Sequence, residues 1–232
     1  MNRRLLALET AGDRVSAALL EWMETAGART VAALSTAAVR DHGRRLVPLV
    51  RDLLRAHDTL PGELGAVAVG RGPGTYTGVR VGIATALGLA SAVGIPVYGV
   101  ETLRAAAFDL SASDAARVAV VTEAGRGGLY AQAFRRADGG VPSASGEARR
   151  LDAPAAAAFV ADLAPDRVLA VGPAAAAALA KAACPVEARP YLDAVAVGGL
   201  ALALLQEGVN RHGQALAVAP IYLRPAATAA GA

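Results

Sequence analysis

Two acids stand at matching places in the chain. Glu9 ends the apolar run Leu5–Thr10 (LLALET), and Glu123 ends Arg117–Glu123 (RVAVVTE). Each is followed by a glycine turn, at Gly12 and at Ala124–Gly128, and then by a second strand-like run, Val15–Leu20 and Leu129–Arg135. Two such carboxylates facing across a cleft can hold Mg²⁺ or act as a base. A carboxylate at a strand end can also just accept backbone hydrogen bonds and do no chemistry. Both readings stay open for Glu9 and Glu123.

The other chemically suggestive stretch is Gly70-Arg71-Gly72-Pro73-Gly74, between the apolar run Val67–Val69 and a helix opening near Thr77 or Gly78. Strand, tight loop and helix in this order point backbone N–H groups at a helix N-terminus, which can hold an anion. Gly72, Pro73, Gly74, Thr75, Tyr76 and Arg80 would then lie near a nucleotide. The known phosphate motifs do not fit. Thr75 stands where G-x-G-x-x-G needs its last glycine, and no lysine follows the second glycine. Turn chemistry, anion contact and partner contact all remain for this loop.

Metal and nucleophile chemistry find less support. His42, His57 and His212 form no pair at helical ligand spacing, so no metal site is expected. The single cysteine, Cys184, excludes an intrachain disulfide, fits a reducing compartment and reads as a buried thiol. Ser16, Ser35 and Ser91 lie inside regular elements without G-x-S-x-G context.

The elements that must position these groups follow from periodicity. Leu5–Thr10, Arg14–Glu21 and Arg29–Ser35 read as three strands. Helical spacing then sets in over His42–His57, carried by Leu46, Leu49 or Val50, and Leu53. A strand at Leu64–Val69, the helix to Val93 and a strand at Pro96–Val100 complete β-β-β-α-β-α-β. In the helix, Gly78, Gly82, Ala86 and Ala90 share one face, Ala84, Gly88 and Ala92 form a second small-residue line, and Val79, Ile83, Leu87 and Val93 an apolar stripe. From Arg117 the pattern restarts, with helices expected at Pro154–Leu163, Pro173–Ala183 and Leu192–Glu207 and a strand at Arg167–Gly172. Asp138–Gly146 reads as a loop, Pro220–Arg224 as the closing segment, and residues 225–232 as a disordered tail. The domains expected are 1–105 and 106–224, with the C-terminal helix able to cross back.

Composition narrows the class further. With 232 residues, 54% of them hydrophobic, the chain can bury a sizeable core, built from Ala, Leu and Val because only 4% are aromatic. Net charge is +3, and the basic pairs Arg3-Arg4, Arg44-Arg45, Arg135-Arg136 and Arg149-Arg150 are dispersed, without a nucleic-acid-binding motif. No signal peptide and no long uncharged apolar run is evident, so a cytoplasmic protein off the membrane is expected.

Several segments resemble one family. Gly72–Ala90, GPGTYTGVRVGIATALGLA, is similar to the TsaB signature, usually close to GPGSFTGLRIGLATAKGLA. LALETAGDRVSAAL, HGRRLVPLVRDLL, EAGRGGLYAQAF and IYLRP resemble further TsaB segments. The departures are Glu9 and Glu123 where the family usually has Asp, Ala11 for a hydroxyl residue, and Gly125 for an arginine.

The resemblance implies an α/β, actin-like (ASKHA) fold of two ribonuclease-H-like subdomains, the second reduced. In actin-like ATPases the acids at the places of Glu9 and Glu123 handle metal and water. It implies a non-catalytic subunit for tRNA N6-threonylcarbamoyladenosine formation that binds and organises the catalytic subunit TsaD, with TsaE as the ATPase partner and tRNA reached through the complex. TsaD carries metal-binding histidines where this chain reads Tyr98–Ala107, without histidine. No tightly bound cofactor is implied, and ATP or ADP belongs to an interface of the complex. The partner surface expected is the helix pair, through His42, Leu46, Leu49, Val50, Leu53, Gly78, Val79, Gly82, Ile83, Ala86 and Ala90, and the same patch would make a homodimer of the lone chain. The rival reading is a small-molecule kinase or ATPase of the actin-like class using Glu9, Glu123 and the glycine loop. A dinucleotide-binding module is disfavoured, since three strands precede the first helix.

Overall fold

The chain begins with an apolar strand that cannot stay uncovered on either face, and the first unit is built around it. A computed structural model describes residues 4–23, 27–39, 41–110, 115–136, 140–207 and 218–223. The strands are β1 (Arg4–Glu9), β2 (Arg14–Met23), β3 (Gly27–Ala37), β4 (Leu64–Gly70) and β5 (Val97–Val100), in the order β3-β2-β1-β4-β5. β1 to β3 form an antiparallel meander, while β4 and β5 run parallel to β1. Alternation divides the side chains. Leu6, Leu8, Val15, Ala17, Leu19, Val67 and Val69 meet Leu46, Val50 and Leu53 of α1 (His42–Ala56) and Val79, Ile83 and Ala86 of α2 (Tyr76–Val93). Leu5, Ala7 and Leu20 face the other way.

That second face is covered from far along the chain. Helix α6 (Ala194–Gln206) is apolar nearly all round, as a helix buried on several sides must be. A Cβ at Gly198 would sit 3.0 Å from that of Ala7 and overlap Leu20, so glycine lets α6 lie down on the sheet. Asp193 caps it by accepting from the Ala196 N–H at 3.0 Å, and Ser16 Oγ accepts from the Ala194 N–H at 3.1 Å. The first unit is therefore Met1–Ala105 with Leu192–Ile221, and the second Ala106–Tyr191 with Tyr222–Ala232. Against domains of 1–105 and 106–224, the helix crosses back to the first unit. The expected tail, 225–232, lies outside the described residues.

The second unit repeats the opening of the first in smaller form. β6 (Arg117–Glu123) and β7 (Leu129–Arg135) make a hairpin, and β10 (Arg167–Val171) runs parallel to β6 as β4 does to β1. Helices α4 (Ala153–Leu163) and α5 (Pro173–Ala178) pack on Ala119, Val121, Leu129, Ala131 and Ala170. The sheet order is β11-β10-β6-β7-β8, with β9 also on β7. The short strands β8 (Ser143–Ala144), β9 (Arg149–Leu151) and β11 (Val186–Arg189), and helix α3 (Thr102–Asp109), are additions to the sequence reading. Each strand is four residues or fewer, too short to show alternation. α5 ends at Ala178, five residues before the expected Ala183.

Helix α2 is long and apolar enough, by length and composition, to cross a bilayer. It carries Arg80, and Gly78, Val79, Gly82, Ile83, Ala86 and Ala90 are buried against its own sheet, as in a core helix.

Candidate functional site

The parallel strands β1, β4 and β5 end together, and the sequence-expected groups of the first unit gather there. Glu9 is 2% exposed. Its Oε1 accepts from the backbone N–H groups of Thr10 and Ala11 at 2.7 and 2.6 Å, and its Oε2 accepts from the Thr102 hydroxyl at 2.9 Å. Burial pushes its pKa above the usual carboxylate value. Hydrogen bonds from Ala11, Thr102 and Thr10 oppose the shift, and the charge of Asp193 adds to it. A Cβ at Gly70 would overlap the carboxylate, so the glycine closing β4 makes room for the acid closing β1.

The glycine loop packs onto the same turn. Thr75 N–H donates to the Ala11 carbonyl at 2.7 Å, and a Cβ at Gly74 would overlap Ala11. Gly72 holds φ at 94° and is joined to Pro73 by a cis peptide. Its N–H donates to Thr102 Oγ1 at 3.2 Å and its carbonyl accepts from the Thr102 N–H at 2.9 Å. The segment Val218–Ile221 crosses alongside, Ile221 N–H donating to the Arg71 carbonyl at 2.8 Å, while Arg71 pairs with Glu101 at 2.8 Å. Thr75 caps α2, its hydroxyl accepting from the Gly78 N–H at 3.3 Å. The helix starts at Tyr76, one to two residues earlier than its periodicity indicates, and the Arg80 guanidinium lies 4.0 Å over the Tyr76 ring.

This arrangement bears on nucleotide chemistry. The hairpin N–H groups of Thr10 and Ala11 are held by Glu9 Oε1. Each Glu9 oxygen accepts at least one hydrogen bond, and the loop rests on Ala11. Among the described residues no group of three His, Cys, Asp or Glu is placed to share a metal ion.

Glu123 repeats the arrangement in the second unit. Its Oε1 accepts from the Ala174 N–H at 2.7 Å. Gly172, with φ at 88°, closes β10 where a Cβ would come within 2.6 Å of the Glu123 carboxyl. The pairing of strand-end acid with neighbouring strand-end glycine thus occurs twice.

The small-residue face of α2 is corrected by the structure. A Cβ at Gly78 would overlap the Thr10 carbonyl and one at Gly82 the Thr10 hydroxyl, and that hydroxyl donates to the Gly78 carbonyl at 2.8 Å. Gly78, Val79, Gly82, Ile83, Ala86 and Ala90 are covered by their own chain, as are Leu46, Val50 and Leu53, with Leu49 packed at the edge of the same core. Of these only Leu49 keeps partial exposure. His42 is buried too, its Nε2 2.8 Å from the Gly12 carbonyl, where it ties α1 to the β1–β2 turn. The open side of the helix pair carries other residues. Tyr76, Arg80, Ala84, Leu87 and Gly88 lie along the outer face of α2, and Val47 projects from α1; Val47 is 57% and Leu87 46% exposed. Nothing stands within 4 Å of where a Cβ at Gly88 would be. Thr102 and Gly172 carry no motif; only the strand ends just before them could have pointed to them.

Comparison with known proteins agrees with this architecture. The family model described as TsaD, tRNA N6-adenosine threonylcarbamoyltransferase, matches residues 34–207. The tRNA threonylcarbamoyladenosine biosynthesis protein TsaB of Escherichia coli is 37% identical over 139 residues, which are 60% of this chain and 58% of that protein. The Bacillus subtilis protein of the same name is 31% identical over 58% of this chain and 56% of its own length. The chain thus spans little more than half the length of these curated relatives. YeaZ from Pseudomonas aeruginosa superposes with a TM-score of 0.72 at 26% identity, covering 95% of this chain and 99% of that one. Matched by that family model over most of its length, and by relatives named TsaB over more than half of it, the chain belongs to the TsaB family of actin-like proteins.

Proposed function

We propose that the chain serves tRNA threonylcarbamoyladenosine biosynthesis as a non-catalytic subunit that binds and organises TsaD. The observation that carries this reading is the outer face of the α1–α2 pair, where Val47, Tyr76 and Leu87 stand exposed and Gly88 has open space beside it. Exposed apolar side chains beside a residue without Cβ allow a partner helix to approach closely. The Glu9 carboxylate, buried and holding three hydrogen bonds within its own unit, supports the non-catalytic part. In this reading TsaE is the ATPase partner, tRNA reaches the chain through the complex, any ATP or ADP sits at an interface of the complex, and the setting is the cytoplasm. The lone chain dimerises through the same face.

The experiment is size-exclusion with light scattering of the chain alone and mixed with TsaD from the same organism. A homodimer that exchanges into a one-to-one complex is the expected result. Gly88→Leu should abolish both associations while leaving the thermal midpoint unchanged or higher, since glycine inside a helix costs about 1 kcal/mol relative to alanine. A Gly88→Leu chain that still binds TsaD would remove this face as the interface.

A further inference from the structure

At the opposite end of the first sheet from Glu9, a cavity of about 610 Å³ opens where the last turn of α6 meets the strands. It is lined by Trp22 at the end of β2, Leu64 and Ala66 at the start of β4, Tyr98 on β5, and Leu202 and Gln206 on α6. Its volume falls in the range of small-molecule sites. Three features set it apart from a packing gap. It holds the chain's only tryptophan and one of its five tyrosines, in a protein with 4% aromatic residues. No lining residue is charged. Trp22, Tyr98 and Gln206 are the lining residues that carry polar side-chain groups. Burial raises the Tyr98 pKa, so its hydroxyl remains a donor at neutral pH.

A ligand that satisfies these walls is flat, uncharged and bears both donor and acceptor edges. Aromatic rings offer stacking surfaces, and a side-chain amide matches the paired donor and acceptor on the edge of adenine. We infer that the cavity bounded by Trp22, Tyr98 and Gln206 binds a purine base. A charged ring would lose its hydration here without a counter-ion. A purely aliphatic guest would make no use of the polar groups that Trp22, Tyr98 and Gln206 carry. The same base could come from a free nucleoside or from an unpaired nucleotide in RNA. The inference stands apart from the subunit reading, because it uses neither the α1–α2 face nor TsaD.

Trp22, as the only tryptophan, reports directly on this cavity. The full chain is titrated with adenosine, with a short single-stranded oligoadenylate, and with cyclohexanol as an uncharged guest without a base edge, while tryptophan emission is followed. A saturable change with adenosine, weakened about three- to tenfold by Gln206→Ala and by Tyr98→Phe as expected for one lost hydrogen bond, supports the site and a nucleoside source. A change with oligoadenylate alone, equally sensitive to both variants, supports it with RNA as the source. No response to either, cyclohexanol binding as well as adenosine, or variants that melt like the parent yet bind undiminished would each overturn it.

Discussion

Glu9 ends a strand whose neighbours on both sides are apolar, and its carboxylate has been taken almost wholly out of water. Three donors reach it, yet burial outweighs them and its pKa lies above the ordinary carboxylate value of 4.5. The sign of the linkage follows. A raised acid contributes stability that is fully present below the unfolded-state pKa and is lost as pH climbs through the folded-state value. Glu9→Gln cannot ionise, so the parent should lose stability relative to this variant between about pH 4 and neutrality. Urea midpoints at the two ends of that range test this, and parallel trends would refute it. Asp193→Asn should keep the α6 cap, since asparagine serves as well as aspartate there, and reduce the same decline by removing the nearby negative charge. The position of Glu9 was legible because a strand-end acid before a glycine turn is a local pattern. Its state was not, because the hydroxyl that completes its shell belongs to Thr102, 93 residues away.

Among the elements, α2 shows most plainly where sequence reasoning divides. Its extent, its amphipathic stripe and its two small-residue lines were all readable from spacing. Spacing could not say which line faces the sheet, since glycine and alanine suit close packing against either a strand end or a partner. Thr10 decides it by filling the space beside Gly78 and Gly82. The consequence reverses one expectation: Gly82→Leu damages the fold, not an interface. Its thermal midpoint should drop well below that of Gly88→Leu, in line with an overpacked core at roughly 1–3 kcal/mol, and comparison of the two melting curves checks it. In the second unit, Gly172→Ala should destabilise for two added reasons, the positive φ and the approach of the Glu123 carboxyl. A melt indistinguishable from the parent would count against both. The short strands β8, β9 and β11 escaped sequence reading because two to four residues carry no period and rest on pairing with β7 and β10.

Across the whole molecule, the repeat of strand, turn, strand and parallel partner was visible in the sequence, and so was the order of the first seven elements. The allocation of α6 was not fixed by local pattern, because a helix that is apolar all round gives no direction. Its place comes from the uncovered face of the first sheet, where Leu5, Ala7 and Leu20 need a partner. A chain cut after Tyr191 should therefore lose the first unit's cooperative unfolding, even though all five of its strands remain. Circular dichroism melts of the shortened and full chains would show this, and a cooperative transition at the parent's midpoint would contradict it.

The same helix sets a timetable for biosynthesis. On the ribosome, β1 emerges well before α6, so the sheet waits half-dressed while the intervening residues are translated. At elongation speeds of roughly 5–20 residues per second that interval is on the order of ten to forty seconds. Throughout it the apolar face is open to chaperones and to neighbouring nascent chains. For this protein the hazardous period for aggregation is therefore its own synthesis, and it closes when α6 leaves the exit tunnel and settles on strands made long before.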